Sequence, residues 1–223
     1  MNIFALHPHP RKAARWHLDK HVCKMVLEYC QLLYTAHWVL HYPELLTTKS
    51  PKALSIAQKQ CVVPSPMQTA PICETTKEPT YRPCHVHHPS AKWARETKGN
   101  YEWLCQLAEE VAREYRFRYH KTHSCEKHVL WLKENIPMNI PNEPRRGFSI
   151  AMADEYKVSN DPIRCYRHYY RTSKQDRGLI AYTSRHVPHW LTAVNKKSEM
   201  PAQPAEAPKE PRLRIKRPTV GAW

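Results

Sequence analysis

Between Val22 and Leu40 the chain is apolar nearly all round if wound as a helix, and its polar exceptions fall on one line. Lys24, Glu28, Gln31 and Thr35 follow one another at steps of four, three and four, and His21 and His17 extend the line backward. Acid, base and amide groups thus share a narrow stripe on an element otherwise suited to burial. A buried carboxylate needs a partner or a function, and perturbed ionisable groups cluster in functional clefts. The alternative is that the stripe is simply the solvated face of an amphipathic helix.

A second set of residues is cationic. Arg164, Arg167, Arg171 and Lys174 recur at three, four and three, with Tyr166, Tyr169 and Tyr170 between them. As one helix this is a continuous basic stripe, in which cations neutralise phosphates and tyrosines such as Tyr170 stack on extruded bases. Lys92, Arg95, Lys98 and Asn100 form a further candidate backbone contact, although Glu96 and Glu102 stand beside them. The same residues also fit a solvated basic face over a tyrosine core contact.

The whole-chain charge agrees with a polyanionic partner. Lys and Arg number 35 against 20 Asp and Glu, a formal +15, so the long-range field draws polyanions and favours nucleic acid. No apolar run reaches membrane-spanning length, and the N-terminus lacks the basic-then-apolar order of a signal peptide; the expectation is a cytoplasmic protein without membrane contact. Four glycines, Gly99, Gly147, Gly178 and Gly221, lie too far apart for a phosphate-cradling loop or a dinucleotide fingerprint, and no cofactor is expected. Eight cysteines without an export signal read as reduced. Cys61, Cys73 and Cys84 with His85, His87 and His88 offer zinc-type ligands, but no Cys-x-x-Cys pair occurs and adjacent ligands converge poorly on one ion; no metal is expected there, nor at His120, His123, Cys125 and His128.

These residues need elements to hold them. Prolines and periodicity predict an all-α, compact bundle of about four main helices with Pro-rich loops. The first helix runs from Arg11 to about His41, ended by Pro43. The segment 43–89 carries eight prolines and reads as a loop insertion with a helical turn or two near Pro51–Gln60. The second runs from Ser90 to Tyr119, with Trp93, Tyr101, Leu104, Ala108, Val111 and Tyr115 along one face. The third runs from a Ser124 N-cap to Asn135. The fourth runs from Pro162 to about Lys174, behind the Asn160-Asp161 cap. At 223 residues one core is expected, in a domain over 1–194, followed by a disordered basic tail over 195–223 with seven Lys or Arg against three Glu.

The segment DKHVCKMVLEYCQLL, residues 19–33, resembles the catalytic helix of the bacteriophage pyrimidine-dimer DNA glycosylases of the endonuclease V type, with Asp19, His21 and Glu28 matching an Asp-x-His followed at seven residues by the key Glu. HHPSAKWARETKGNYEWLCQLAEEVAREYRFR at 87–118 resembles that family's second long helix, and YRHYYRTSK at 166–174 its Tyr-rich C-terminal segment, in the same order. The resemblance covers about half the chain. It implies an enzyme of DNA repair, an N-glycosylase with AP-lyase activity, acting on double-stranded DNA with a flipped nucleotide. An N-terminal α-amine attacks the sugar carbon, a Schiff base forms, and Glu28 stabilises the charged intermediate. An α-amine suits that role because its reference pKa, about 7.7–8.0, leaves a neutral fraction at pH 7 that lysine's, about 10.4, does not.

Three departures bear on the chemistry. The family exposes a small second residue after Met is removed, whereas here Asn2, whose bulk hinders that removal, stands second, which leaves either Met1 or no residue as the source of the amine. Arginines flank the family's Glu where this chain has Leu27 and Gln31, and the 43–89 insertion is longer than the family's loop. The damaged or modified base therefore stays open. The alternative is a catalytically inactive viral accessory protein on the same fold, binding DNA or a protein partner through 43–89 or the tail. A zinc-dependent nuclease is a third reading, which predicts stoichiometric metal.

Overall fold

Two long helices organise the chain because each carries an apolar face wide enough to need burial. The computed structural model describes residues 1–48 and 50–192. Its helices are α1 (Pro10–Arg15), α2 (Asp19–His41), α3 (Pro51–Gln60), α4 (Pro89–Glu96), α5 (Lys98–Tyr119), α6 (Glu126–Glu134), α7 (Pro162–Tyr169) and α8 (His189–Thr192). Among the described residues the only β pairing is an isolated bridge between Ile72 and Pro79, so the all-α expectation holds. The expected tail, 195–223, lies outside the described residues. No helix is long and apolar enough to cross a membrane.

α2 is the central element, packed on α5, α4 and α6, with every residue from Leu32 to Val39 buried. Tyr29, Tyr34 and Trp38 are fully enclosed, and Tyr101, Leu104, Ala108 and Val111 of α5 meet them in one apolar core. A rigid central helix fixes the angles at which the stripe residues project.

Both long predicted helices are broken. The first divides at Trp16–Leu18 into α1 and α2. The carbonyls of Arg15 and His17 are left free there, and the buried Arg118 of α5 collects them, Nη2 to Arg15 O at 3.0 Å and Nη1 to His17 O at 2.9 Å. The same guanidinium binds Asp19 at 2.9 Å and Glu114 at 3.2 Å, while Asp19 also accepts from the Thr183 amide and hydroxyl. The second helix breaks at Thr97, which turns extended (φ −143°) and caps α5 by accepting from Asn100 N at 3.1 Å.

Smaller elements also differ. α6 begins at Glu126, and the Cys125 amide is taken by the ring of His123, so the expected hydroxyl cap at Ser124 is not made. α3 spans Pro51–Gln60 behind a Ser50 cap, inside the otherwise irregular insertion. The fourth predicted helix is α7 followed by a wider π turn over Tyr170–Lys174. A π turn holds more residues than an α turn, so everything after it is rotated out of phase with the preceding face.

Candidate functional site

The α2 stripe meets the chain's first residues and the π turn. His21, Lys24 and Glu28 from α2, Met1, Asn2 and Phe4 from the N-terminal segment, and Tyr169 and Lys174 from the π-turn region enclose a pocket of about 230 Å³. The three residues singled out for catalysis, Met1, His21 and Glu28, thus line one cavity.

Glu28 is 9 % exposed, and its Oε1 lies 2.7 Å from Lys24 Nζ, one turn back on the same helix. Lys24 itself is solvent-facing, so the carboxylate is enclosed while its cation remains free to swing toward a ligand. Lys174 is 7 % exposed, with its ammonium 4.6 Å from the Tyr169 ring centre, and no carboxylate lies within 4 Å of it among the described residues. An enclosed ammonium without a counter-charge favours an incoming anion.

His21 stacks on Phe4, ring centres 4.0 Å apart, and its Nδ1 pairs with the Tyr170 hydroxyl at 2.6 Å. Burial, followed by the charges of His17, Lys174, Lys24 and Lys20, holds its pKa well below the ordinary histidine value, so the ring is neutral at pH 7. With the phenol donating, the other ring nitrogen keeps its proton and is a neutral donor at the pocket. His17, one turn earlier, is a core group: Nδ1 donates to Ala13 O at 2.7 Å, Nε2 accepts from Tyr29 at 2.8 Å, and burial lowers its pKa to about 4.

The N-terminal segment is fixed by Asn2. Its amide donates to Ala151 O at 2.8 Å and its carbonyl accepts from the Tyr166 hydroxyl at 2.7 Å and Ile3 N at 2.9 Å. His88, at the start of α4, has its pKa lowered by burial first and then by the Met1 ammonium and His85, with Glu28 opposing. Cys84, which accepts no charge readily because burial raises its pKa, feels the same ammonium and the same carboxylate. The Met1 amine, Glu28 and the 84–88 loop are therefore in mutual electrostatic range. Thr35 anchors that loop through its hydroxyl, which donates to Gln31 O and accepts from Cys84 N.

Several residues expected to touch DNA are not at the surface. Tyr170 is fully buried, its hydroxyl spent on His21, so it cannot stack on a base. Asn100 is fully buried and joins Trp93 O to Arg146 N. Arg95 is 9 % exposed and donates to Val86 O. The cationic stripe is discontinuous: Arg167 binds Leu6 O and covers the Trp16 and Trp190 rings, Arg171 reaches Trp190 O, and the π turn carries Lys174 away into the pocket. Arg164 remains exposed. Lys92 is exposed, Lys98 is half-exposed near Glu102, and Gln31 is half-buried with no side-chain hydrogen bond among the described residues.

No group of three or more His, Cys, Asp or Glu is arranged to hold a metal among the described residues, and all eight cysteines are free thiols. Asn2 enters the sequence reading only as a departure from the family, Tyr169 only as a stacking ring in the basic stripe and Phe4 not at all, yet all three line the pocket. In comparisons with known proteins, no family model, curated protein or solved structure matches the chain. What this pocket does must be read from its own residues.

Proposed function

We propose that the chain is a DNA glycosylase with AP-lyase activity, working on a nucleotide extruded from double-stranded DNA into the Glu28 pocket. The observation that carries this reading is the convergence of Met1, His21 and Glu28 on one cavity flanked by Lys24 and Lys174. The sugar carbon is shielded within a duplex, so chemistry on it requires the nucleotide to turn out. The basic net charge supplies attraction to the backbone, and Lys24 and Lys174 supply cations at the phosphates flanking the extruded unit.

In this reading the unprotonated Met1 amine attacks C1′; the new C–N bond forms as the glycosidic bond breaks, and the base leaves with its electron pair and takes up a proton. The amine gives up one proton to that base; the ring oxygen then leaves C1′ with the bonding pair and takes a proton from solvent, while the nitrogen lone pair closes the C=N bond of a protonated imine, whose positive charge Glu28 stabilises at short range. Removal of a C2′ proton then expels the 3′ phosphate, which breaks the strand. Neutral His21 donates a hydrogen bond to the sugar or leaving group, a role it keeps because it does not take up a proton at pH 7.

Borohydride reduction of the imine tests this directly. On an abasic duplex a covalent protein–DNA adduct is expected, mapping to Met1, and Glu28→Gln is expected to bind DNA but leave the strand uncut; irradiated and modified-base duplexes then show which base is excised. Complete absence of adduct on every substrate would exclude the lyase chemistry. Salt-dependent binding that Glu28→Gln leaves untouched, without turnover, would identify an inactive DNA-binding protein instead.

A further inference from the structure

A second cavity, of about 540 Å³, lies on the other flank of the same stripe and shares Lys24 with the first. Its α2 wall is Lys24, Leu27 and Gln31; the insertion contributes Glu74, Thr75 and Tyr81, and the segment entering α6 closes it. Its size falls in the range of about 300–1,000 Å³ typical of small-molecule sites.

Most polar groups in this wall are already committed. Tyr81 Oη contacts Cys125 Sγ at 3.2 Å. His123 accepts from Cys125 N at Nδ1, which leaves its proton on Nε2, and that nitrogen donates to Cys23 O at 3.1 Å. His128 Nδ1 pairs with the Tyr34 hydroxyl at 3.0 Å. The exceptions are the Gln31 amide, which has no side-chain hydrogen bond among the described residues, and the Glu74 carboxylate at the cavity's exposed rim, 3.8 Å from Lys127; the Thr75 hydroxyl is bonded to the Cys73 thiol. What remains available is thus one amide in the wall and one acceptor-only carboxylate at the rim, over a floor of Leu27 and thiols.

We infer that this cavity receives the extruded base, and that it selects a base bearing an exocyclic amino group, adenine, cytosine or a derivative of either, over thymine and its photoproducts. The inference rests on the reading of the neighbouring Glu28 pocket, which takes the sugar, while the base passes over Lys24. A carboxylate accepts hydrogen bonds and cannot donate them, so Glu74 is satisfied by an amino group and repelled by a carbonyl edge. Gln31 complements it, because a glutamine amide pairs bidentately with the amino and ring-nitrogen edge of adenine, and glutamate accepts from the cytosine amino group. Thymine offers carbonyls at the corresponding positions. The longer insertion finds its use here, since Glu74, Thr75 and Tyr81 all belong to it.

Fluorescence anisotropy with duplexes that differ only in one unpaired bulged nucleotide tests the cavity without any chemistry. Bulged adenine or cytosine is expected to bind about tenfold tighter than bulged thymine, the discrimination usual for a good base-edge pair. Glu74→Ala combined with Gln31→Leu is expected to bring the ratio near one, and circular dichroism confirms the fold of that variant. Equal affinities, a thymine preference, or a ratio that survives the double substitution would each overturn the inference. Adduct trapping on an abasic duplex, which has no base, reads only the Glu28 pocket. A duplex that traps while showing no base ratio removes the base site alone; a ratio without trapping removes the lyase chemistry alone.

Discussion

Lys24 Nζ stands 2.7 Å from Glu28 Oε1 with the lysine exposed and the carboxylate almost enclosed. The pair is asymmetric, so its two members are expected to fail differently. Glu28→Gln preserves size and removes only the charge; it is expected to lower single-turnover strand cleavage at least a hundredfold with DNA affinity within about twofold, since loss of a transition-state electrostatic partner costs about that much. Lys24→Met is expected to weaken binding uniformly across sequences and to reduce the salt slope of log K by about one. Binding isotherms from 50 to 200 mM salt separate the two; an unchanged slope in Lys24→Met would remove that lysine from the DNA contact.

Arg118 and Arg95 are both buried arginines, and they make opposite predictions. Arg118 binds two carboxylates and two main-chain carbonyls at the break between α1 and α2. Arg118→Met takes one partner each from Asp19, which keeps Thr183, and Glu114, which keeps Arg185, and leaves the Arg15 and His17 carbonyls without their donor, so it is expected to cost about 3–5 kcal/mol in urea unfolding. Arg95 holds only Val86 O, and its Nη1 has no partner among the described residues. Arg95→Met gives up one hydrogen bond and relieves an uncompensated charge, so its stability is expected to stay within about 1 kcal/mol of the parent. Similar losses in both would contradict this distinction.

The contrast also marks what spacing reveals. The Lys24–Glu28–Gln31–Thr35 line was legible because helix period is local, and the enclosure of α2 followed from its apolar surround. The break after Arg15 was not legible, since the group that satisfies its free carbonyls sits about a hundred residues downstream in α5. Thr97 did carry a signal, a hydroxyl residue three before Asn100, but the unbroken periodicity around it pointed to one helix. Lys174 left the basic stripe because a π turn changes phase without any Pro or Gly to announce it. Tyr170 and Asn100 have polar ends that suit a surface equally well, and only the fold shows those ends already bonded.

Stability is expected to fall steeply on mild acidification. Burial lowers the pKa of His17, His37 and His128 to about 4, and that of His21 well below the usual value. These rings are neutral in the fold and take up protons near pH 6.5 once unfolded, so unfolding binds protons as pH drops. Their contribution is complete above pH 6.5 and is lost between 6.5 and about 4, each ring contributing up to about 1.4 kcal/mol per pH unit. Urea midpoints measured from pH 7.5 to 4.5 check this, with His128→Gln expected to lower the slope by about one proton. A midpoint independent of pH would show these rings to be accessible.

Gly99, in the first turn of α5, stands where a single methyl group has no room. A Cβ there would stand 2.3 Å from Arg145 N and 2.7 Å from Pro144 C, both main-chain atoms that cannot swing aside. The close approach lets Gly99 N bind Glu143 O and lets Asn100 hold Arg146 N at 2.7 Å, which seats the 141–147 loop against the α4–α5 junction. Gly99→Ala is expected to destabilise by about 1–3 kcal/mol, as overpacking does, and to accelerate hydrogen exchange at the Arg146 amide. None of the loop's residues lines the Glu28 cavity, so adduct formation per folded molecule is expected to be unchanged. An alanine variant with parental stability and a protected Arg146 amide would show that the loop is not held there.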